Sequence, residues 1–420
     1  MNTQTSSWRS KLSALGPGIL MASAAVGGSH IIMSTQAGAM YGWQLVGLII
    51  LANLFKYPFF RFGAQYTLDS GKTLLEGYQE KGRFYLWLFF ILNVIATIIN
   101  TAAVGLLTAA ILTFVLPEPI PVPNLSLIVI IVTTAILLLG KYRILDSLSK
   151  LIMISLTVTT VVAVLIAFMR NGTSGVVQPD FVAPSPWNLG PLGLGFIVAL
   201  MGWMPAPIEI SAINSMWVQA KRRFTKISHE DGVFDFNVGF IGTAILALVF
   251  VALGALVQYG SGEAVEMANG GKYIAQLINM YASTIGDWAR GLIAFIAFMC
   301  MFGTTITVID GYSRTNVESL RLLLKRKEST PRYLNMAFVV AALSGLALIF
   351  YFNNAVKPML NFAMIASFVS APLFAYLNLS LVLKGEHRVR GALFWLSIAG
   401  LIFLTGFALL FIVNQLGLLA

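Results

Sequence analysis

The stretch Leu15-Gly16-Pro17-Gly18-Ile19 opens an apolar segment that is interrupted at Gly27-Gly28-Ser29, and the pattern returns at Leu192-Gly193-Leu194-Gly195-Phe196, interrupted at Met204-Pro205-Ala206-Pro207. In both copies the interruption begins nine residues after the second glycine, at Gly27 and at Met204. A helix broken inside hydrocarbon leaves backbone N–H and C=O groups without partners, and this is tolerated only where those groups line a cavity or meet a ligand. A lone glycine in such a helix is an ordinary packing point. Two clusters at matched positions predict one central substrate site.

Working outward, the surrounding chain is built for lipid. Of its 420 residues, 58% are hydrophobic and 10% charged, against about 25% charged in soluble domains. Crossing a hydrocarbon core of about 30 Å takes roughly 20 apolar residues. Such stretches recur at about 14 to 41, 43 to 66, 84 to 116, 123 to 140, 145 to 169, 190 to 217, 233 to 258, 287 to 309, 332 to 352, 357 to 384 and 391 to 417, which makes eleven spans. The segments between them, the longest at about 170 to 189 and 259 to 286, are too short to bury a core of their own. The chain therefore reads as one all-α polytopic membrane domain. The first apolar run follows Arg9 and Lys11 without a small-residue cleavage signature, so it is a retained helix. Cys300 stands alone, which excludes a disulfide framework and a thiolate metal cluster.

The net charge of +10 raises the question of a polyanionic partner, and the distribution of the charges answers it. With a cytoplasmic N-terminus, the inner loops carry Arg9 and Lys11; Lys72, Lys81 and Arg83; Lys141 and Arg143; Lys221, Arg222, Arg223 and Lys226; Arg314, Arg321, Lys325, Arg326, Lys327 and Arg332; and Lys384, Arg388 and Arg390. The outer loops carry little beyond Arg170, Lys272 and Lys357. This is the positive-inside distribution of a bacterial inner-membrane protein, so the basic charge records topology and not nucleic-acid binding. An odd number of spans leaves the C-terminus outside. The broken spans are the first and the sixth, an offset of five, so the second copy enters from the opposite side, the mark of an inverted repeat.

The residues from Leu15-Gly16-Pro17 through Gln36-Ala37-Gly38-Ala39 and Tyr41-Gly42, followed by Leu51-Ala52-Asn53-Leu54, resemble the first two spans of the NRAMP family of proton-coupled divalent-metal transporters. Met204-Pro205 stands where that family has Met-Pro-His, and span count and loop polarity agree along the whole chain. The resemblance implies a LeuT-type fold with spans one and six broken. The first inverted repeat would cover residues 1–169, the second 190–384, and an extra helix 391–417. It also implies proton-driven symport of an ion by a monomer, with no cofactor.

The departures bear on the substrate. The family's metal-binding Asp-Pro-Gly-Asn is here Gly27-Gly28-Ser29-His30; the histidine after Met-Pro is Ala206, a second histidine is Ser211, and the third span has Asn93, Asn100 and Ala103 where the family's proton-route acids fall. A thioether alone, Met204, is a poor cation site. The expected substrate site comprises Gly27, Gly28, Ser29, His30, Met201, Met204 and Ala206, with no metal ligand set. Glycine admits close approach to backbone, serine offers a hydroxyl, histidine a donor or titratable cation, and half-helix N-termini a partial positive charge. That equipment suits a small oxyanion, and the Gly-x-Ser-His pattern resembles an NRAMP-like branch suited to bicarbonate, which is the expected substrate; a divalent cation is the alternative. His30 also has a plain reading as a hydrogen-bonded structural residue. Glu209, His30, Lys56 and Asp310 are the candidates for charge compensation or proton coupling. Lys56, in Phe55-Lys56-Tyr57-Pro58, either faces the site or snorkels with Arg61 to the cytoplasmic surface. His229 and His387 fall in loops, and neither a His-Glu-x-x-His motif nor a nucleophile elbow is present, so an enzyme or a passive receptor is disfavoured.

Overall fold

The computed structural model describes residues 11–418 apart from 12, 119, 141, 267–269, 328–330, 353–354 and 385–387, so Arg9, Lys141 and His387 lie outside the described residues. The described elements are helices. Span one is α1 (Pro17–Ala25), a π-turn (Ser29–Ser34) and α2 (Thr35–Tyr41), bent by 52° at the break. Then come α3 (Val46–Ser70), the short α4 (Leu74–Lys81), α5 (Arg83–Leu112), α6 (Val122–Leu138) and α7 (Tyr142–Asn171). Span six is a π-turn (Pro191–Gly195) running into α8 (Phe196–Gly202), an unwound segment, and α9 (Ile210–Arg222). The rest is α10 (His229–Val257), α11 (Gly270–Ile285), α12 (Ala289–Leu323), α13 (Pro331–Tyr351), α14 (Val356–Leu381) and α15 (Gly391–Gln415).

Among the described residues eight helices are long and apolar enough to cross a membrane, nine with the bent pair of span one, while the expected fourth and sixth spans contain shorter apolar helices, Val122–Leu138 and Leu192–Gly202; both interruptions fall where the sequence puts them. The architecture is the expected LeuT-type one, two inverted five-helix repeats plus an eleventh spanning helix. Outer helix faces carry apolar side chains in the open at helical spacing, such as Ile91 and Ile95, Ile241 and Ile245, and Leu151, Ile154 and Val158. Only lipid makes such faces comfortable.

Small residues set the inner packing. Among lipid-embedded helices, close backbone approach replaces hydrophobic collapse as the source of contact. A Cβ added at Gly18 would stand 2.1 Å from the Asp235 carbonyl oxygen, and one at Gly239 the same distance from that of Gly18, so α1 and α10 touch backbone to backbone. Gly38 against Val251 (2.0 Å) and Gly254 against Thr35 (2.1 Å) repeat the arrangement between α2 and α10. Both halves of the broken span thus lie against one straight helix. Asp235 adds a polar tie, its carboxylate accepting from the amides of Gly16 (2.8 Å) and Gly18 (2.7 Å) at the first turn of α1, where four helix amides otherwise lack partners.

One segment read as an outer loop folds differently. Within 259 to 286, α11 forms an amphipathic helix whose buried stripe is Tyr273, Ile274, Leu277, Ile278 and Tyr281. At 16 residues it is too short to span, and it packs chiefly against α12 and α7, reaching the first broken span through Tyr273. The Tyr273 hydroxyl donates to the Ile32 carbonyl in the π-turn (3.3 Å), and the Tyr281 and Thr160 hydroxyls pair at 2.8 Å.

Candidate functional site

Each break exposes backbone. After Ala25 the helix runs out at Val26, and Gly27 and Gly28 carry the chain into the π-turn. After Gly202 the chain unwinds through Trp203 and a cis Met204–Pro205 bond to restart at Ile210. The breaks face each other across a small cavity of about 30 Å³. Its walls are Ala24, Ala25, Gly27, Gly28 and Ser29 of span one, Trp203, Ala206, Pro207 and Ile210 of span six, and side chains of α5 and α12. About 10–15 Å³ of this measure suffices for one water, so the site is closed down to the scale of a water or two.

The expected residues divide. Gly27, Gly28, Ser29 and Ala206 line the cavity, while His30, Met201 and Met204 do not. His30 is turned toward α10: one ring nitrogen pairs with the Ser29 hydroxyl (2.8 Å), the other donates to the Thr243 carbonyl (3.0 Å), and Phe250 packs edge-on beside it. That is the plain structural reading of this histidine. Met201 and Met204 are fully packed in the core beside the break.

Lys56 does not snorkel. It is fully buried, and its ammonium donates to the carbonyls of Met201 (2.6 Å), Gly202 (2.9 Å) and Ala206 (3.2 Å), at the second break. Arg61, a turn further on, instead reaches the Tyr57 hydroxyl (3.2 Å). Glu209, also buried, accepts from the Tyr312 hydroxyl (3.0 Å), which in turn accepts from the Asn100 amide (3.1 Å). Tyr312 and Asn100 both line the cavity, so Glu209 communicates with it through one hydroxyl. No ion pair joins Glu209 to Lys56 among the described residues, although their charges lie close enough to attract. Asp310 sits one helical face away, ion-paired with Arg314 (2.7 Å) on a broad vestibule of about 670 Å³ that also holds Glu76, Arg223 and Glu318. It belongs to the approach from the basic-loop side and not to the cavity.

Sequence reasoning missed several cavity residues. Thr304 donates to the Val26 carbonyl at the first break (3.2 Å), and the Trp203 indole donates to Ser367 (3.2 Å) while closing one wall. Asn100 was visible only as a replaced acid. Tyr312 carried no signal, because a tyrosine in an apolar span looks like core. Asn93, the other replaced acid position, is absorbed in a polar seam between α5 and α12, donating to Thr315 (2.9 Å) and Asn316 (2.7 Å). Ser211, at the second replaced histidine, accepts from the Asn378 amide (2.7 Å).

Comparison with known proteins places this architecture. Among curated proteins the chain is 76% identical over 414 residues to an uncharacterized protein of Pasteurella multocida, covering 99% of this chain and 95% of that one. It is 27% identical over 223 residues to the metal transporter Nramp3 of Oryza sativa, a match spanning 52% of this chain and 39% of the rice protein. Among solved structures, a manganese transporter variant from Eremococcus coleocola superposes with a TM-score of 0.76 at 16% identity, covering 99% of this chain and 90% of that one. The family model described as natural resistance-associated macrophage protein-like matches residues 18–414, nearly the whole length, and the chain therefore belongs to the Nramp family.

Proposed function

We propose that the chain is a secondary-active, proton-coupled transporter of the bacterial inner membrane, working as a monomer with its N-terminus cytoplasmic, and that its substrate is a small inorganic anion such as bicarbonate. The repeats 1–169 and 190–384 move against each other about the paired breaks, which must part to admit a polyatomic ion. The observation that supports an anion is the chemistry of the cavity wall. It offers glycine backbone, the hydroxyls of Ser29, Thr304 and Tyr312 and the amide of Asn100, with no carboxylate among the lining residues. Among the described residues no group of three or more His, Cys, Asp or Glu side chains could hold a metal ion. The Lys56 ammonium, bonded to the carbonyl of the lining residue Ala206, adds positive charge behind the wall.

A divalent cation is the second reading. It is favoured by the metal-transporter names of relatives and by Glu209, one hydroxyl from the cavity. Purified protein in liposomes, assayed in parallel for Mn²⁺ quench of an internal dye and for bicarbonate-driven internal pH change, separates the two. The anion reading expects the pH change without the quench; micromolar Mn²⁺ binding by calorimetry refutes it.

Proton coupling is assigned to Glu209. Its Oε1 is held by Tyr312, whereas its Oε2 is buried without a hydrogen-bond partner among the described residues, a costly state for a carboxylate and a natural place for a proton. Glu209→Gln keeps the shape and cannot titrate. It is expected to retain substrate binding while losing acceleration of uptake by an inward proton gradient, by about 10-fold or more given the usual 10²–10⁴ contribution of a positioned proton carrier. Tyr312→Phe, which breaks the link but spares the carboxylate, should give a partial version of the same defect. Gradient-driven uptake at the wild-type rate in Glu209→Gln removes Glu209 from the coupling role.

A further inference from the structure

We propose that Lys56 is a tethered internal cation that fills a cation seat built by the second helix break, and that it thereby sets the charge selectivity of the transport site. The inference deepens the anion reading above and rests on it for its transport arm.

The seat consists of three carbonyl oxygens. Those of Met201 and Gly202 belong to the last turn of α8, where the Met204 amide also reaches the Met201 carbonyl (3.3 Å), and that of Ala206 belongs to the unwound segment. Converging carbonyls at the C-terminal end of a half-helix carry partial negative charge, and buried without partners they attract a small cation. Here the ammonium of α3 lies at 2.6, 2.9 and 3.2 Å from them. An ammonium has three donors, so its hydrogen-bonding capacity and the seat's are satisfied together. Nothing else in the surroundings explains a lysine at this depth. The nearest carboxylate, Glu209, is engaged by Tyr312 and forms no ion pair with it. A fully buried charge is normally an expense, which the carbonyls here offset by acting as solvent.

Two consequences follow. The seat is closed to any mobile cation, because the tether keeps the local concentration of the ammonium far above that of ions in solution. The fixed positive charge stands one carbonyl from the cavity wall at Ala206, where it favours an anionic substrate and opposes a cationic one. Removing the ammonium leaves the converging carbonyls without their cation and with the Glu209 carboxylate nearby, a local field of the opposite sign.

The test is chemical rescue. Lys56→Ala opens space for the missing alkylammonium; Lys56→Met keeps the stem and removes the charge. Thermal stability of the purified full-length variants is read in N-methylglucamine chloride, then with Na⁺, K⁺ or ethylammonium replacing it at constant ionic strength. The expected result is a lowered midpoint for Lys56→Ala that ethylammonium raises in a saturable manner, a similar response of Lys56→Met to Na⁺ or K⁺, and no response of the wild type beyond the ionic-strength control. Variants that are folded yet indifferent to every cation overturn the proposal. If Lys56→Ala cannot be purified, Lys56→Met alone decides by the same criterion. This readout involves no transported substrate, so it stands even if the wild type proves to carry metal. In liposomes, Lys56→Met is expected to lose bicarbonate flux at least 10-fold and to gain measurable monovalent-cation leak. Unchanged anion flux with no cation leak overturns the selectivity role.

Discussion

Gly28→Val abolishes transport, to at least 100-fold below wild type, in protein that still runs as a folded, monodisperse species. A Cβ at Gly28 would stand 3.1 Å from the Trp203 ring and 3.2 Å from a Leu107 methyl, tight contacts that side-chain adjustment can absorb. The two γ-carbons are another matter. They need further room beside Trp203 and Leu107, at the wall of a cavity of only about 30 Å³, where a ligand would need to approach the backbone directly. Overpacking costs about 1–3 kcal/mol when neighbours can yield, which a well-packed membrane domain survives, whereas a filled site cannot load. Gly28→Ala should fall between. Uptake and size-exclusion profiles measured together check both halves of the expectation, and normal uptake by Gly28→Val would mean that the break serves packing alone.

Gly38→Val fails earlier, at folding. Here the obstacle is backbone: the Cβ would lie 2.0 Å from the Val251 carbonyl oxygen, when ordinary contact begins near 3.4 Å. To admit even the first carbon, α2 and α10 must separate by more than an ångström. That also pulls apart Gly254 and Thr35 and tilts the half-span that carries the π-turn toward the cavity. Helix association in lipid depends on this close approach, and losses of this kind belong to the tail beyond about 4–5 kcal/mol. The expected outcome is aggregation or loss of the monodisperse peak in detergent. Gly242→Val, on the facing helix α10 but with open space around its Cβ, is the matched control and should purify like wild type. A normal profile for Gly38→Val would show that the two helices can part without loss of the fold.

Much of the architecture was legible in the residues because a bilayer punishes every local error. Eleven apolar stretches, the alternation of basic and neutral loops, and the breaks at Gly27-Gly28 and Met204-Pro205 can each be read in isolation, since backbone groups in hydrocarbon must be paired within their own segment or declared by Gly and Pro. The short helix α11 escaped that reading because an amphipathic stretch of 16 residues meets neither the spanning length nor the pattern of a loop. Of the candidate residues, Gly27, Gly28, Ser29, Ala206, Glu209 and Lys56 fall at or behind the cavity wall, whereas His30, Met201 and Met204 do not line it and Asp310 lies on the vestibule.

What no single segment contains is the partner of each group. That His30 turns its ring to Thr243 rather than into the cavity depends on how the π-turn rotates span one about its axis. Glu209 meets Tyr312 across 103 positions of sequence, and Lys56 meets Met201 across 145. Hydropathy reports how deep a residue lies and says nothing of its azimuth. The sequence by itself determined the apolar segments and the places where backbone is exposed, because those follow from the free energy of each segment in lipid. Which exposed carbonyls receive an ammonium, and which carboxylate keeps an oxygen unpaired, was decided only when helix crossings brought the two repeats together, because a hydrogen bond is set by distances of a few tenths of an ångström between elements that no local rule positions.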